Sequence, residues 1–181
     1  RGLGDVYKRQ QLSNAMDAYG STVYRLALTR MQNIADAEDV YQEVFLRLWK
    51  QAAEDWDGDR AKAWLIRTTL NRCADLHRFR LRRPVLSFAE IPDLAQPEDE
   101  SRELWEAVSR LPEKARTAVH LYYAEGYSAE EISQLMHIPA ATVRTRLHRA
   151  RKQLKKLLGG IDDETCVSRS DGTNFGPQRA E

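Results

Sequence analysis

Seven cations and no acid occupy the span from Pro139 to Leu158: Arg144, Arg146, Arg149, Arg151, Lys152, Lys155 and Lys156. An arginine fork can donate two hydrogen bonds to guanine O6 and N7, and any of these charges can neutralise a phosphate. Val143, Leu147, Ala150 and Leu154 recur among them at intervals of three and four, so one side of a helix is apolar and the other basic. A shorter helix is signalled just before. Ser128 and Glu131 have the spacing of a capping box, and Ile132, Leu135 and Met136 supply an apolar face. His137-Ile138-Pro139 then breaks the pattern, with proline suited to the first turn of the next helix. A short helix, a tight turn and a basic second helix describe a helix-turn-helix, whose second helix enters the DNA major groove. The competing reading is a solvated basic face on an ordinary helix. The capped first helix and the proline turn argue against it.

A second candidate surface lies on the helix expected from about Ala61 to Arg80. Leu65, Ile66, Thr69, Leu70, Cys73 and Leu76 can face inward, while Trp64, Arg67, Thr68, Asn71, Asp75 and Arg78 share the opposite arc. Aromatic rings and guanidinium planes stack on unpaired bases, amides read base edges, and arginines hold phosphates. A solvated face with one packed tryptophan remains the alternative for this arc. A third surface belongs to ADAEDVYQEVFLRLWKQAA, whose start Asp36 can cap. Its core stripe is Val40, Tyr41, Val44, Phe45, Leu48 and Ala52. Leu46 and Trp49 stand off that stripe beside Asp39, Gln42, Glu43 and Lys50, a mixed face suited to docking a partner. Packing of Trp49 into the core is the alternative.

These surfaces need small helical scaffolds. The helix that opens the first scaffold is expected from Ser13 to about Gln32, with Met16, Tyr19, Val23, Leu26, Ala27 and Met31 facing inward. Before it, Arg1–Gln10 resembles the translation of a sequencing-library adapter, and residues 1–12 are expected to form a tail outside the fold. The net charge over 181 residues is only +1, so the distribution of charge carries the information. Six arginines stand against one aspartate from Arg67 to Arg83, and seven acids against Arg102 from Pro84 to Glu106. With Pro84, Pro92 and Pro97, residues 84–101 read as a flexible acidic linker that repels DNA between two basic modules. Past it, helices are expected at Glu103–Arg110 and Glu113–Ala124, with Val108, Leu111, Ala115, Ala118, Val119 and Tyr122 beneath the helix-turn-helix. The expected architecture is all-α: one domain over residues 13–83, a linker over 84–101, a second domain over 102–159 and a disordered tail over 160–181.

Several classes are disfavoured. Cys73 and Cys166 are too few for a disulfide framework or a zinc site. An EF-hand loop begun at Asp55 would need glycine and glutamate where Arg60 and Ile66 stand. The four histidines show no HExxH or triad-like grouping and no glycine-rich phosphate loop exists, so neither metal, cofactor nor catalysis is expected. No apolar run reaches membrane-span length and no signal peptide is visible, which points to a cytoplasmic protein.

Three stretches carry a resemblance: DAEDVYQEVFLRLW (Asp36–Trp49), AWLIRTTLNRCADLHR (Ala63–Arg78) and LPEKARTAVHLYYAEGYSAEEISQLMHIPAATVRTRLHRARKQL (Leu111–Leu154). In this order and spacing the chain resembles an extracytoplasmic-function (ECF) sigma factor, a small member of the sigma-70 family that directs bacterial RNA polymerase to promoters. The resemblance covers about Met16 to Leu158. It implies that residues 13–83 form sigma region two. There the face of Asp39, Gln42, Glu43, Leu46 and Trp49 would dock on the β′ clamp helices of core polymerase, whose β subunit is a further implied partner. The Trp56–Arg60 loop with Trp64, Arg67, Asn71, Asp75 and Arg78 would open and read the −10 element. Region four would read the −35 element through Arg144, Thr145, His148 and Arg149, with Thr142, Arg146 and Arg151 alongside; Thr142 and Arg146 would hold phosphates. An anti-sigma factor is a further implied partner. The family usually has glycine in the helix-turn-helix turn, where this chain has His137, and phenylalanine near the position of Trp56. An autonomous dimeric operator-binding regulator would need a free apolar seam for dimerisation, and none is visible.

Overall fold

The computed structural model describes residues 2–51, 58–82 and 99–159. Among the described residues every regular element is helical: α1 (Gly2–Met31), α2 (Ile34–Gln51), α3 (Gly58–Arg82), α4 (Asp99–Ser109), α5 (Glu113–Val119), a π-helical turn (His120–Ala124), α6 (Ala129–Met136) and α7 (Ala140–Leu157). The chain divides into two compact units, one built on α1–α3 and the other on the later helices.

In the first unit α1 packs against both α2 and α3. Val23, Ala27 and Met31 of α1 meet Val40, Val44, Phe45 and Leu48 of α2 and Leu65 and Cys73 of α3 in one buried cluster. Apolar residues at helical spacing on all three helices remove that surface from water together, and this burial is the main force holding the unit. Only Gln32 and Asn33 separate α1 from α2. Gln32 closes α1 in the left-handed region (φ 52°), its N–H donating to the Leu28 carbonyl at 2.9 Å.

Three expectations change here. The helix expected from Ser13 begins at Gly2, because nothing between Gly4 and Gly20 breaks a helix; Leu12 and Ala15 pack on the core cluster. Met16, expected inside, is 37% exposed, and Tyr19 turns its hydroxyl to the Gly58 carbonyl at 2.9 Å. Asn33, rather than Asp36, caps α2: its Oδ1 accepts from the Asp36 N–H at 3.0 Å. The Asp36 carboxylate is itself buried and takes Arg80 Nη2 from the far end of α3. Burial pushes the Asp36 carboxyl above the ordinary aspartate range, opposed by the charge of Arg80 and reinforced by Asp39.

In the second unit α5 packs on α7, and Ala118, Leu121, Ile132, Val143, Leu147 and Ala150 are buried. Arg116 is buried as well. Its Nη1 donates to the carbonyls of Ser109 (2.9 Å) and Leu111 (3.0 Å), a cation where the end of α4 leaves carbonyls without helical partners. The helix α4 starts at Asp99, inside the span expected to be linker. At His120 the hydrogen bonding widens, with the Glu125 N–H donating to the His120 carbonyl at 3.2 Å. This extra residue in the turn shifts the register. Tyr122, expected in the core, is 38% exposed, and Leu121 is buried in its place.

Candidate nucleic-acid interface

The capping box is formed. Ser128 N–H and Oγ both donate to Glu131 Oε2 at 2.8 Å, and the Glu131 N–H donates to Ser128 Oγ at 3.2 Å. The turn that follows carries His137 at φ 52°, the left-handed conformation that glycine takes without steric cost. It is tied down when Ser133 Oγ donates to the Ile138 carbonyl at 2.6 Å and the Ile138 N–H donates to the Ser133 carbonyl at 3.1 Å. Pro139 stands one place before the first turn of α7, as its N-cap, and its carbonyl accepts from the N–H groups of Thr142 (2.9 Å) and Val143 (3.2 Å).

Val143, Leu147 and Ala150 bury one side of α7 against the unit. The opposite side presents Arg144, Thr145, His148, Arg149 and Arg151 to solvent, while Thr142 and Arg146 are half-buried at its margins. Thr145 Oγ1 donates back to the Ala141 carbonyl at 2.9 Å, and Arg151 Nε to the Leu147 carbonyl at 3.4 Å. Arg144 reaches off its own helix, its Nη2 donating to Glu130 Oε1 on α6.

On the first unit an open groove of about 410 Å³ runs between α2 and α3, lined by Arg47, Lys50, Gln51, Trp64, Thr68 and Asn71. The structure thus brings Trp64 and Asn71 into one groove. Arg67, Asp75 and Arg78 are exposed on α3 outside it, with Arg78 Nη2 on Asp75 Oδ1 at 2.7 Å. Arg60, expected in a loop, lies in the first turn of α3, because that helix begins at Gly58. Trp56 lies outside the described residues. Thr68, expected on the outer arc, is buried at the floor. Arg47 and Gln51 were not evident as site residues from sequence, although Arg47, Lys50 and Gln51 follow a helical spacing of three and four that was open to view. Only the packing of α2 beside α3 places them opposite an amide and an indole.

The docking face on α2 is divided. Asp39, Gln42 and Leu46 are exposed, Leu46 at 47%. Glu43 is half-buried and accepts from Arg47 Nε at 3.1 Å. Trp49 is half-buried and turns towards α1, lining a second hollow of about 280 Å³ with Leu12, Ala15, Tyr19 and Leu48. Among the described residues no cluster of three or more potential metal ligands occurs, and no helix is long and apolar enough to cross a membrane.

Residues 15–83 match the family model Sigma-70 region 2, and residues 101–154 match Sigma-70, region 4. The ECF RNA polymerase sigma factor SigE of Mycolicibacterium smegmatis is 34% identical over 91% of this chain and 68% of its own length. The chain belongs to the ECF sigma factors of the sigma-70 family. SigW of Bacillus subtilis, also an ECF RNA polymerase sigma factor, is 30% identical over 81% of the chain and 88% of its own length. Among solved structures, the sigma factor RpoE of Bartonella quintana, crystallised with the anti-sigma factor NepR, superposes with a TM-score of 0.68. It is 25% identical, over 85% of this chain and 97% of that one. As an ECF sigma factor the chain serves transcription initiation; its family comprises initiation factors, not catalytic enzymes.

Proposed function

We propose that the two basic surfaces divide promoter recognition between them. On the second unit α7 enters the major groove of the −35 element. Arg144, Thr145, His148 and Arg149 face base edges, and Thr142, Arg146 and Arg151 hold the backbone. On the first unit the groove between α2 and α3 receives a base of the −10 element once it has left the stack. Trp64 offers a stacking face, Asn71 an amide for the base edge, and Arg47 and Lys50 cations for the flanking phosphates. Arg60, Arg67 and Arg78 extend this positive surface along α3, with Trp56 and Asp75 assigned to the same element. The exposed Asp39, Gln42 and Leu46 of α2, with the half-buried Glu43, dock on core polymerase, and Trp49 shapes that face from beneath. Such a protein works in the cytoplasm, where polymerase and promoter DNA are found. An anti-sigma factor is a further partner, in line with the complex of the Bartonella sigma factor with the anti-sigma factor NepR.

The observation that supports this reading is the groove, which joins an indole, an amide and two cations, the groups an unpaired base and its flanking phosphates call for. Run-off transcription with core polymerase on a promoter library tests it. The chain should select templates sharing two conserved blocks upstream of the start site. Run-off without such blocks, or none at all, refutes the division of labour.

A further inference from the structure

We infer that Glu130, which lies outside the reading helix, is a positioning residue for DNA recognition: through its ion pair it withholds Arg144 from phosphates and aims the remaining donors of that arginine at a base. The inference rests on the assignment of α7 to the −35 element. Arg144 Nη2 donates to Glu130 Oε1 across the helix-turn-helix, from α7 to α6. Among the described residues this is the one acid–cation pair that α7 makes; Arg146, Arg149, Arg151 and the three lysines have none.

The carboxylate is well mounted for this task. Ser128 and Glu131 bond each other reciprocally on either side of it, which fixes the first turn of α6. Glu131 is engaged in that cap, so Glu130 is the acid of this turn left to reach across. The guanidinium has five N–H donors in a rigid fork, and binding one of them to Glu130 leaves others to meet a base. The two side chains remain 61% and 59% exposed. An ion pair in water is weak, so it biases the rotamer of Arg144 without preventing the arginine from engaging DNA. Its negative charge also offsets one cation of a helix that otherwise attracts every phosphate alike. With this one arginine steered by an acid, α7 discriminates more sharply at the base that arginine meets.

The test uses holoenzyme assembled from the full chain and core polymerase, on a promoter library randomised across the −35 element. Glu130→Gln should lower discrimination at one −35 position by about two- to fivefold, the range open to an exposed ion pair. The other positions should keep their preference. In the Arg144→Ala background the same substitution should change nothing further. Unchanged discrimination in Glu130→Gln, an equal loss at every position, or a full effect persisting without Arg144 would each overturn the inference. Failure of the underlying assignment looks different: the unsubstituted holoenzyme itself would then show no −35 preference.

Discussion

Replacing His137 by glycine should stabilise the helix-turn-helix. His137 holds φ at 52° in the turn between α6 and α7, and its side chain is exposed, so little packing is lost when it is removed. Left-handed backbone costs a residue with a Cβ about 1–2 kcal/mol, and glycine is spared this. Against that, glycine gives the unfolded chain about 0.4–1 kcal/mol of extra conformational freedom. The difference spans about 0–1.6 kcal/mol and centres on a gain of about 0.8, or a few degrees in melting temperature for a unit of this size, at about 4–8 °C per kcal/mol. Three variants separate the backbone effect from the side chain. His137→Gly should melt highest, His137→Asn should lie near or above the parent, and His137→Ala should fall at or below it. Circular dichroism gives the melts, and hydrogen exchange at the amides of Ile138 and Val143 localises the gain to the turn. A glycine variant less stable than His137→Ala would refute the reasoning, since the alanine variant keeps the strain and loses the same imidazole.

Other outcomes follow from the two surfaces and from the buried acid. Arg149→Ala should cost about 1–3 kcal/mol of discrimination at one base pair of the −35 element, whereas Arg146→Ala should weaken all sequences and reduce the salt slope by about one unit. Binding titrations over a salt series check both, and identical behaviour of the two variants would erase the assigned roles. Asn71→Ala should leave −35 binding intact and reduce strand opening, read as lost permanganate reactivity at −10 thymines; undiminished reactivity removes the groove from the mechanism. For Asp36, burial outweighs Arg80 and raises the folded-state pKa above the ordinary 3.8. The folded chain therefore holds this proton more tightly than the unfolded one. Stability relative to Asp36→Asn should then rise as pH falls through the raised value, levelling off below 3.8. Urea unfolding of both proteins across this range checks the sign, and a difference that shrinks on acidification contradicts it.

What the sequence discloses about this fold divides along a physical line. The Ser128–Glu131 cap, the apolar stripe of α7 and the inward face of α3 depend on neighbours within a turn or two, and local spacing displays them. The pairing of Asp36 with Arg80 joins residues from separate helices, so the cap expected from Asp36 fell instead to Asn33. The same limit hid Arg47 and Gln51, whose part in the groove exists only because α2 lies beside α3. Trp49 stood off the core stripe in its own helix, yet α1 extends far enough towards Gly2 to give it a wall. The register shift at His120 had no sequence signal, because a five-residue hydrogen-bonded turn uses the same residues as an ordinary one.

That widened turn also stores a spare residue. An ordinary helix advances the chain by about 100° per residue, and a wider turn by less. The five residues of His120–Ala124 therefore cover about the rotation that four would cover in an ordinary turn, and the chain leaves towards Tyr127, whose N–H donates to the Leu121 carbonyl at 3.0 Å. A one-codon deletion there should be taken up by an ordinary turn, whereas the same deletion inside α7 would rotate every later side chain by about 100°; thermal melts of the two variants compare them.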